Sequence, residues 1–392
     1  MKIWKPLALC LGVMALEARV SLGQETPPPP QPTPVPTAEP GPPPPQPTPP
    51  PPGPPPPAAA PSQTSNYFNP SVSVIGNFLA VAGKNSVENL PSANLRESEL
   101  ALQAIVDPYA RADFFISYGE SGVEVEEGFI TFTSLPAQLL AKVGRMRVAF
   151  GKINTLHLHV LPWPDEPLPI VNLLGGEEGW KGTGVSVARL IPMPAEIFSE
   201  LTAQVFRGDA EGLFEARKRS DLAYNGHYRL FKDLSEATNL DLGFSYGAGP
   251  NDMSTDEARR WTRLEAIDFT LRWKPLRTGN YRSASMRGEL FRSRRDQPEE
   301  SGGKQTARGW FLSGEYQLAK RWFVGARVES SDHADDETKR DSGQAITLTF
   351  WPSEFSQVRG ELRRRRYAGG VTANEALLQI QFAIGAHGAH PF

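Results

Sequence analysis

Along most of this chain apolar and polar side chains alternate one for one, a period that suits a strand with two different faces and that no helix can use. Leu378, Ile380, Phe382 and Ile384 fall on one face of their segment, with Gln379, Gln381 and Ala383 on the other. Leu240, Leu242, Phe244 and Tyr246 alternate in the same way with Asp241, Gly243 and Ser245. Ile267, Phe269, Leu271 and Trp273 alternate with Asp268, Thr270 and Arg272. About sixteen such segments fit the period-two template between Asn69 and the end. They lie near 70–82, 97–106, 109–119, 122–133, 139–150, 181–191, 195–207, 224–232, 237–248, 259–274, 279–292, 308–318, 320–330, 342–351, 354–366 and 372–386.

The connections alternate too. Short links such as Asp107-Pro108 and Ala319-Lys320 follow the even segments, and longer polar links follow most odd ones: 83–96, 151–180, 208–223, 249–258, 293–307 and 331–341. This asymmetry predicts an all-β chain, a transmembrane antiparallel β-barrel of about 16 strands with long loops outside and both ends on the periplasmic rim. Aromatics fall where girdles belong: Trp180, Trp261 and Trp310 at outer ends, Trp273, Trp322 and Trp351 at periplasmic ends, with parity placing Trp351 on the inner face.

Composition fits that reading. A mean hydropathy of −0.37 resembles a soluble protein, yet a membrane barrel has the same average because every second residue faces water. No segment approaches the ~20 apolar residues of a membrane helix. A formal charge of −3 gives no basic surface for nucleic acid. The one cysteine, Cys10, lies in the leader, so neither disulfides nor thiolate metal sites hold the remainder together.

The first 66 residues divide by texture. Lys2 and Lys5, the apolar Leu7 to Leu16 and the small residues at Ser21 and Gly23 predict a signal peptide over 1–23. Residues 24–66 predict a Pro-rich disordered periplasmic arm, extended as polyproline II; inert spacer and envelope tether both remain open for it. Residues 67–392 are the predicted outer-membrane barrel.

A sixteen-strand barrel leaves an aqueous channel, so inward positions carry the function. Parity places Arg111, Asp113, Glu127, Arg145, Arg147, Asp241, Asp268, Arg272, Arg287, Glu289, Glu315, Arg327, Glu329, Arg359, Glu361 and Arg363 on that face, a lining of mixed sign. Of these, Arg111, Asp113, Asp268, Arg272, Arg287, Glu289, Arg327 and Arg363 are the predicted pore lining. The run Arg363 to Arg366 ends a strand near the outer rim; outward members suit lipopolysaccharide phosphates or stand as a solvated edge. The connection from Gly151 to Trp180 is long and rich in Leu, Trp and Pro, costly to expose. It is expected to fold into the barrel as a constriction, with Asp165, Glu166, Glu177 and Glu178 facing Arg145 and Arg147. Packing against a neighbouring subunit is the alternative.

His157 and His159 form an H-x-H pair with carboxylates nearby; metal binding stays open for them, since two histidines without a third ligand at defined spacing are weak evidence. No metal and no cofactor are therefore assigned. His227 has no nucleophile signature near it, so no catalytic residue is assigned and an enzyme is not expected. The function expected is a channel for passive diffusion of small polar or ionic solutes; the alternative is an envelope-tethering barrel acting through the Pro-rich arm.

The strand–loop text Gly144-Arg145-Met146-Arg147-Val148-Ala149-Phe150-Gly151-Lys152 and the terminal Phe392 resemble bacterial outer-membrane porins, in particular the phosphate-selective porin O/P-like group. The resemblance covers the barrel and not the arm. It implies an outer-membrane location, a homotrimer, contact with lipids and lipopolysaccharide, and assembly by machinery that reads a C-terminal aromatic.

Overall fold

The computed structural model of the chain describes residues 70–120 and 122–385. The predicted signal peptide and Pro-rich arm, Phe392, and His387 and His390 lie outside the described residues.

Sixteen antiparallel strands follow one another: β1 (Ser71–Lys84), β2 (Ala93–Asp107), β3 (Ala110–Gly119), β4 (Gly122–Leu135), β5 (Leu139–Arg147), β6 (Lys181–Leu190), β7 (Phe198–Arg207), β8 (Leu222–Ser235), β9 (Thr238–Pro250), β10 (Trp261–Trp273), β11 (Ala284–Asp296), β12 (Lys304–Ala319), β13 (Trp322–Asp332), β14 (Arg340–Ser353), β15 (Ser356–Arg366) and β16 (Thr372–Gly385). Each pairs with its neighbours in sequence, and β1 pairs with β16 from Ser73↔Gly385 to Lys84↔Asn374, so the sheet is a closed barrel. The alternating segments all become strands. Several extend further toward the long-loop rim than alternation shows, so the 83–96 and 293–307 connections shorten to 85–92 and 297–303. The fifth strand does the reverse and stops at Arg147, three residues early.

Two adjacent rows of residues show the two faces of the wall. Phe244, Ile267, Leu290 and Trp310 are register partners across β9 to β12, and all four are exposed on the outside. One residue along, Gly243, Asp268, Glu289, Phe311 and Glu329 are partners on the inside, and the three carboxylates are buried. A soluble protein rarely tolerates so continuous an apolar exterior; an acyl-chain environment requires it.

Two of the register shifts among the described residues alter which side chains face inward. Between Asn77 and Phe78 the partner strand carries Arg96 as an extra residue, and between Phe115 and Ile116 it carries Glu126. A bulge inserts one residue and re-aims side chains. Here it lets the adjacent Glu126 and Glu127 both be buried against the interior.

The tryptophans divide. Trp261, Trp273, Trp310 and Trp322 are partly exposed on the wall; Trp322 stacks on Phe350 at 4.5 Å and Trp261 on Tyr224. Trp351 lines the inner cavity. Trp180, expected in the outer girdle, is instead 1% exposed and packs edge-on against Phe214 at 5.1 Å inside the barrel. Along β15, Arg363 and Arg365 are buried and Arg364 and Arg366 are exposed, so the arginine run is split between the two faces.

A charge at mid-wall therefore meets lipid. Ile346, 61% exposed at the centre of β14, changed to Arg is expected to cost about 2–4 kcal/mol of folding free energy in bilayers. Leu276→Arg, in the turn between β10 and β11, is expected to cost under about 1 kcal/mol. Urea titrations of folding into liposomes distinguish the two; equal costs would mean that the exterior is not lipid-facing.

Candidate functional site

The interior is organised by residues 148–180, the connection between β5 and β6. Its neck is closed by Asn154, whose amide donates to the carbonyls of Val148 (2.8 Å) and Trp180 (2.9 Å) and accepts from the Trp180 N–H (2.7 Å). Gly151, at a φ of 63°, turns the chain inward. A six-residue helix, α1 (Leu168–Leu173), follows the Pro162, Pro164 and Pro167 stretch, which cannot extend a helix backwards.

Apolar packing fixes this loop to one side of the wall. Val148, Phe150, Ile153, Leu161, Trp163, Ile170, Leu173, Leu174 and Trp180 form one buried cluster with inward wall residues that include Met146, Phe206, Leu264, Phe291 and Phe311. Trp163 meets Phe311 edge-on at 5.5 Å and carries the Arg327 guanidinium 4.9 Å above its ring. Each such large side chain, fully buried, contributes about 1.5–3 kcal/mol. The wall makes room with glycines: a Cβ on Gly309 would stand 2.9 Å from Pro169 and 3.0 Å from Leu173.

Charge fixes the adjoining flank, on β13 and β15. Asp165 accepts from Arg327 (2.7 Å), Arg363 (2.9 Å) and Arg365 (2.6 Å), all buried. Arg359 donates to the Leu161 carbonyl (2.9 Å), and the Leu168 N–H donates to Glu329 (3.0 Å). Burial alone would raise the Asp165 pKa; the guanidiniums of Arg327, Arg365 and Arg363 outweigh it and hold the carboxyl well below the carboxylate range. Glu166 goes the other way. Burial, with the charge of Asp165, pushes it up to about 8 against the pull of Arg147 and Arg96.

A third set of contacts joins the loop's histidines to β2 and β4. His157 Nδ1 lies 2.6 Å from Glu99 and 3.3 Å from Glu126, and its Nε2 lies 2.7 Å from Glu127. His159 Nδ1 is 3.7 Å from Glu99 and 3.8 Å from Glu97. Burial favours the neutral imidazole of His157, but hydrogen bonds to Glu126, Glu127 and Glu99 raise its pKa well above the ordinary value. The third ligand that the sequence lacked is thus supplied by the wall: Glu99, His157 and His159 bring ligand atoms within 4.8 Å of one another, as do Glu97, Glu99 and Glu126.

On the β10–β15 side lies a cavity of about 390 Å³ lined by the basic groups Arg272, Lys274, Arg287, Lys320 and Arg359, with Glu315 as the carboxylate among them. Arg359 bonds to neutral oxygens of Thr349 and Gln379 as well as Leu161, and Arg287 to Ser285 Oγ. The lining is therefore basic.

The expected constriction residues separate. Asp165 and Glu166 are buried in contact with the wall. Arg147 turns inward and pairs with Glu126 (3.1 Å) and the Glu178 carbonyl (3.1 Å). Glu177 meets Arg96, and Glu178 meets Lys181 at 2.8 Å, with both carboxylates largely exposed. Arg145 lies apart. It is the register partner of Gly128 and Thr183, in the row of the outward Phe114, and pairs with Glu124 at 3.1 Å. Its inward placement fails because Met146, Val148 and Phe150, which read as a lipid face, pack inside against the loop. Of the expected lining, Asp113, Asp268, Glu289, Arg327 and Arg363 are buried inside, Arg272 and Arg287 are half-buried, and Arg111 is an exposed partner of Asp113 at 2.6 Å. Sequence reasoning missed Glu97, Glu99, Glu126 and Arg365. The first two were legible as an E-x-E pair in a strand; Glu126 is inward only through its bulge.

No protein-family model matches the chain. It is 30% identical over 335 residues to an uncharacterized protein of Aquifex aeolicus, covering 76% of this chain and 70% of that one. Among solved structures it resembles the anion-selective porin from Comamonas acidovorans (TM-score 0.53, 12% identity, 80% of this chain and 100% of that one). It also resembles OprB of Pseudomonas putida (0.52, 12%, 81% and 94%) and the outer membrane channel DcaP of Acinetobacter baumannii (0.51, 10%, 81% and 97%). At these identities the likeness is one of fold, and the fold is that of outer-membrane porins.

Removing the Asp165 charge leaves three buried guanidiniums short of a partner. Asp165→Asn is expected to destabilise the folded barrel by about 3–5 kcal/mol, read as a lower urea midpoint. The folded state also holds a proton on Glu166 that an unfolded chain releases between its ordinary 4.5 and about 8. Stability from this group is complete below pH 4.5 and is lost as pH rises through 8. Glu166→Gln should flatten the decline in urea midpoint between pH 5 and 8; an unaltered slope would assign it to another group.

Proposed function

We propose that this chain, which belongs to one family with the uncharacterized protein of Aquifex aeolicus, is an outer-membrane porin-like channel for passive diffusion of small polar or ionic solutes. The observation that carries this reading is a closed sixteen-strand wall with an apolar exterior, a charged interior and an inserted loop. A wall of that circumference encloses more space than side chains fill, and residues 148–180 supply the obstruction that narrows it.

On this reading Asp165, Glu166 and Arg147 anchor the constriction, while Glu177 and Glu178, exposed beside Arg96 and Lys181, meet solutes. The basic cavity at Arg272, Arg287 and Arg359 gives the passage a preference for anions, because a ring of one sign enriches the opposite ion. That preference is in keeping with the resemblance to phosphate-selective porins and with the anion selectivity of the Comamonas acidovorans porin. The chain would act in the outer membrane as a homotrimer after signal-peptide removal, delivered by the barrel-assembly machinery, with its Pro-rich arm in the periplasm. No covalent chemistry is part of this role.

Single-channel recording in planar bilayers with a salt gradient tests it. Folded protein should conduct, with a reversal potential of anion-preferring sign, and Arg272→Ala with Arg287→Ala should move that potential toward cations. Absence of conductance from folded protein would remove the channel, and an unmoved potential would remove these two arginines from the passage.

A further inference from the structure

We propose that His157 and His159 of the inserted loop, together with Glu97, Glu99 and Glu126 of the wall, form a binding site for a divalent first-row transition-metal ion, which ties the loop to β2 and β4. The site adjoins the basic cavity, whose lining includes His159, and does not depend on the chain conducting solutes.

Four observations converge on it. The first is donor chemistry: two imidazoles and three carboxylates, contributed from three separate elements, form two buried triads of ligand atoms that share Glu99. Imidazole nitrogens select zinc and its first-row neighbours over magnesium and calcium, which take oxygen ligands.

The second is spacing. His157 Nδ1 to Glu99 (2.6 Å), His157 Nδ1 to Glu126 (3.3 Å), His159 Nδ1 to Glu99 (3.7 Å) and His159 Nδ1 to Glu97 (3.8 Å) bracket the edge of a tetrahedron, about 3.3–3.6 Å for metal–ligand bonds of 2.0–2.2 Å.

The third is charge. Four buried carboxylates, Glu97, Glu99, Glu126 and Glu127, crowd this corner, and Arg147 on Glu126 is the guanidinium paired with them. The remaining negative charge calls for a cation. Glu97 Oε2 is buried, accepts no hydrogen bond and is directed at the His159 ring, a costly state for a carboxylate oxygen.

The fourth is outer-sphere support. Nε2 of His157 is held by Glu127 Oε1 at 2.7 Å, and Glu127 Oε2 is in turn held by the Arg147 N–H at 2.9 Å. With a metal ion in place of the Nδ1 proton, that arrangement would keep the hydrogen on Nε2, as metal-ligating histidines require. Phe115, 4.9 Å from the His157 ring, packs against it. Protons shared between imidazole and carboxylates are the competing occupant of this space, and the experiment separates the two.

The test uses the full chain without an affinity tag, folded in detergent, in a background carrying His387→Gln and His390→Gln. Zinc ion alone is titrated against a chromophoric chelator, with calcium in parallel, and folding is followed by heat-modifiable gel mobility. The expected result is one zinc per folded chain, nitrogen ligands in the X-ray absorption spectrum, and loss of binding in His157→Gln with His159→Gln. Glu127→Gln lies outside the ligand set and should weaken the Kd roughly 10–100-fold. Four results would overturn the site: no stoichiometric zinc on folded protein, calcium binding as well as zinc, binding that survives loss of both histidines, or a Glu127→Gln Kd equal to that of the parent. The last decides the matter even where the histidine variants do not fold.

Discussion

Everything in this molecule depends on the ladder between β1 and β16. In hydrocarbon an unpaired backbone N–H or carbonyl costs several kcal/mol, so a sheet is tolerated only without edges. Closure gives every strand two neighbours and divides the side chains into two populations by alternation alone. Phe244, Ile267 and Leu290 outside and Asp268 and Glu289 inside are neighbours along their strands, yet they face opposite solvents.

The interior is as differentiated as the wall. On one flank the loop is held by Trp163 and Phe311 and their apolar neighbours, on another by Asp165 among three arginines, and on a third by histidines among glutamates. Each grip uses a different physical interaction. Apolar packing sets position over a broad area. The buried ion pairs set register, since a shift that left Arg365 or Asp165 alone would be expensive. The basic cavity beside them keeps its Arg359 guanidinium on neutral oxygens.

This explains what the sequence made legible and what it concealed. Strand number, order and the long connection at 151–180 follow from a period of two and from loop lengths, because the wall repeats a single local rule. The bulges at Arg96 and Glu126 follow no such rule. Arg145 was misplaced because alternation identifies which residues share a face and not which face is wet. Where the interior is itself apolar, as at Met146 and Phe129 beneath the loop, the two faces exchange their usual signatures. Trp180 was assigned to the girdle for the same reason. The charged partners of the loop were hidden differently: Asp165 and Arg365 are 200 positions apart, and no local pattern links them.

That separation has a kinetic consequence. The loop leaves the chain after the fifth strand, but the arginines that hold Asp165 stand on the thirteenth and fifteenth, and Arg359 on the fifteenth holds Leu161. Contacts between such distant positions cannot form until the intervening chain has been placed, and the entropy of closing so large a loop delays them further. Until the fifteenth strand is placed, Asp165 and Leu161 would lack those partners. The Asn154 staple, which joins only residues 148 to 180, would keep the loop folded at its base while the wall catches up.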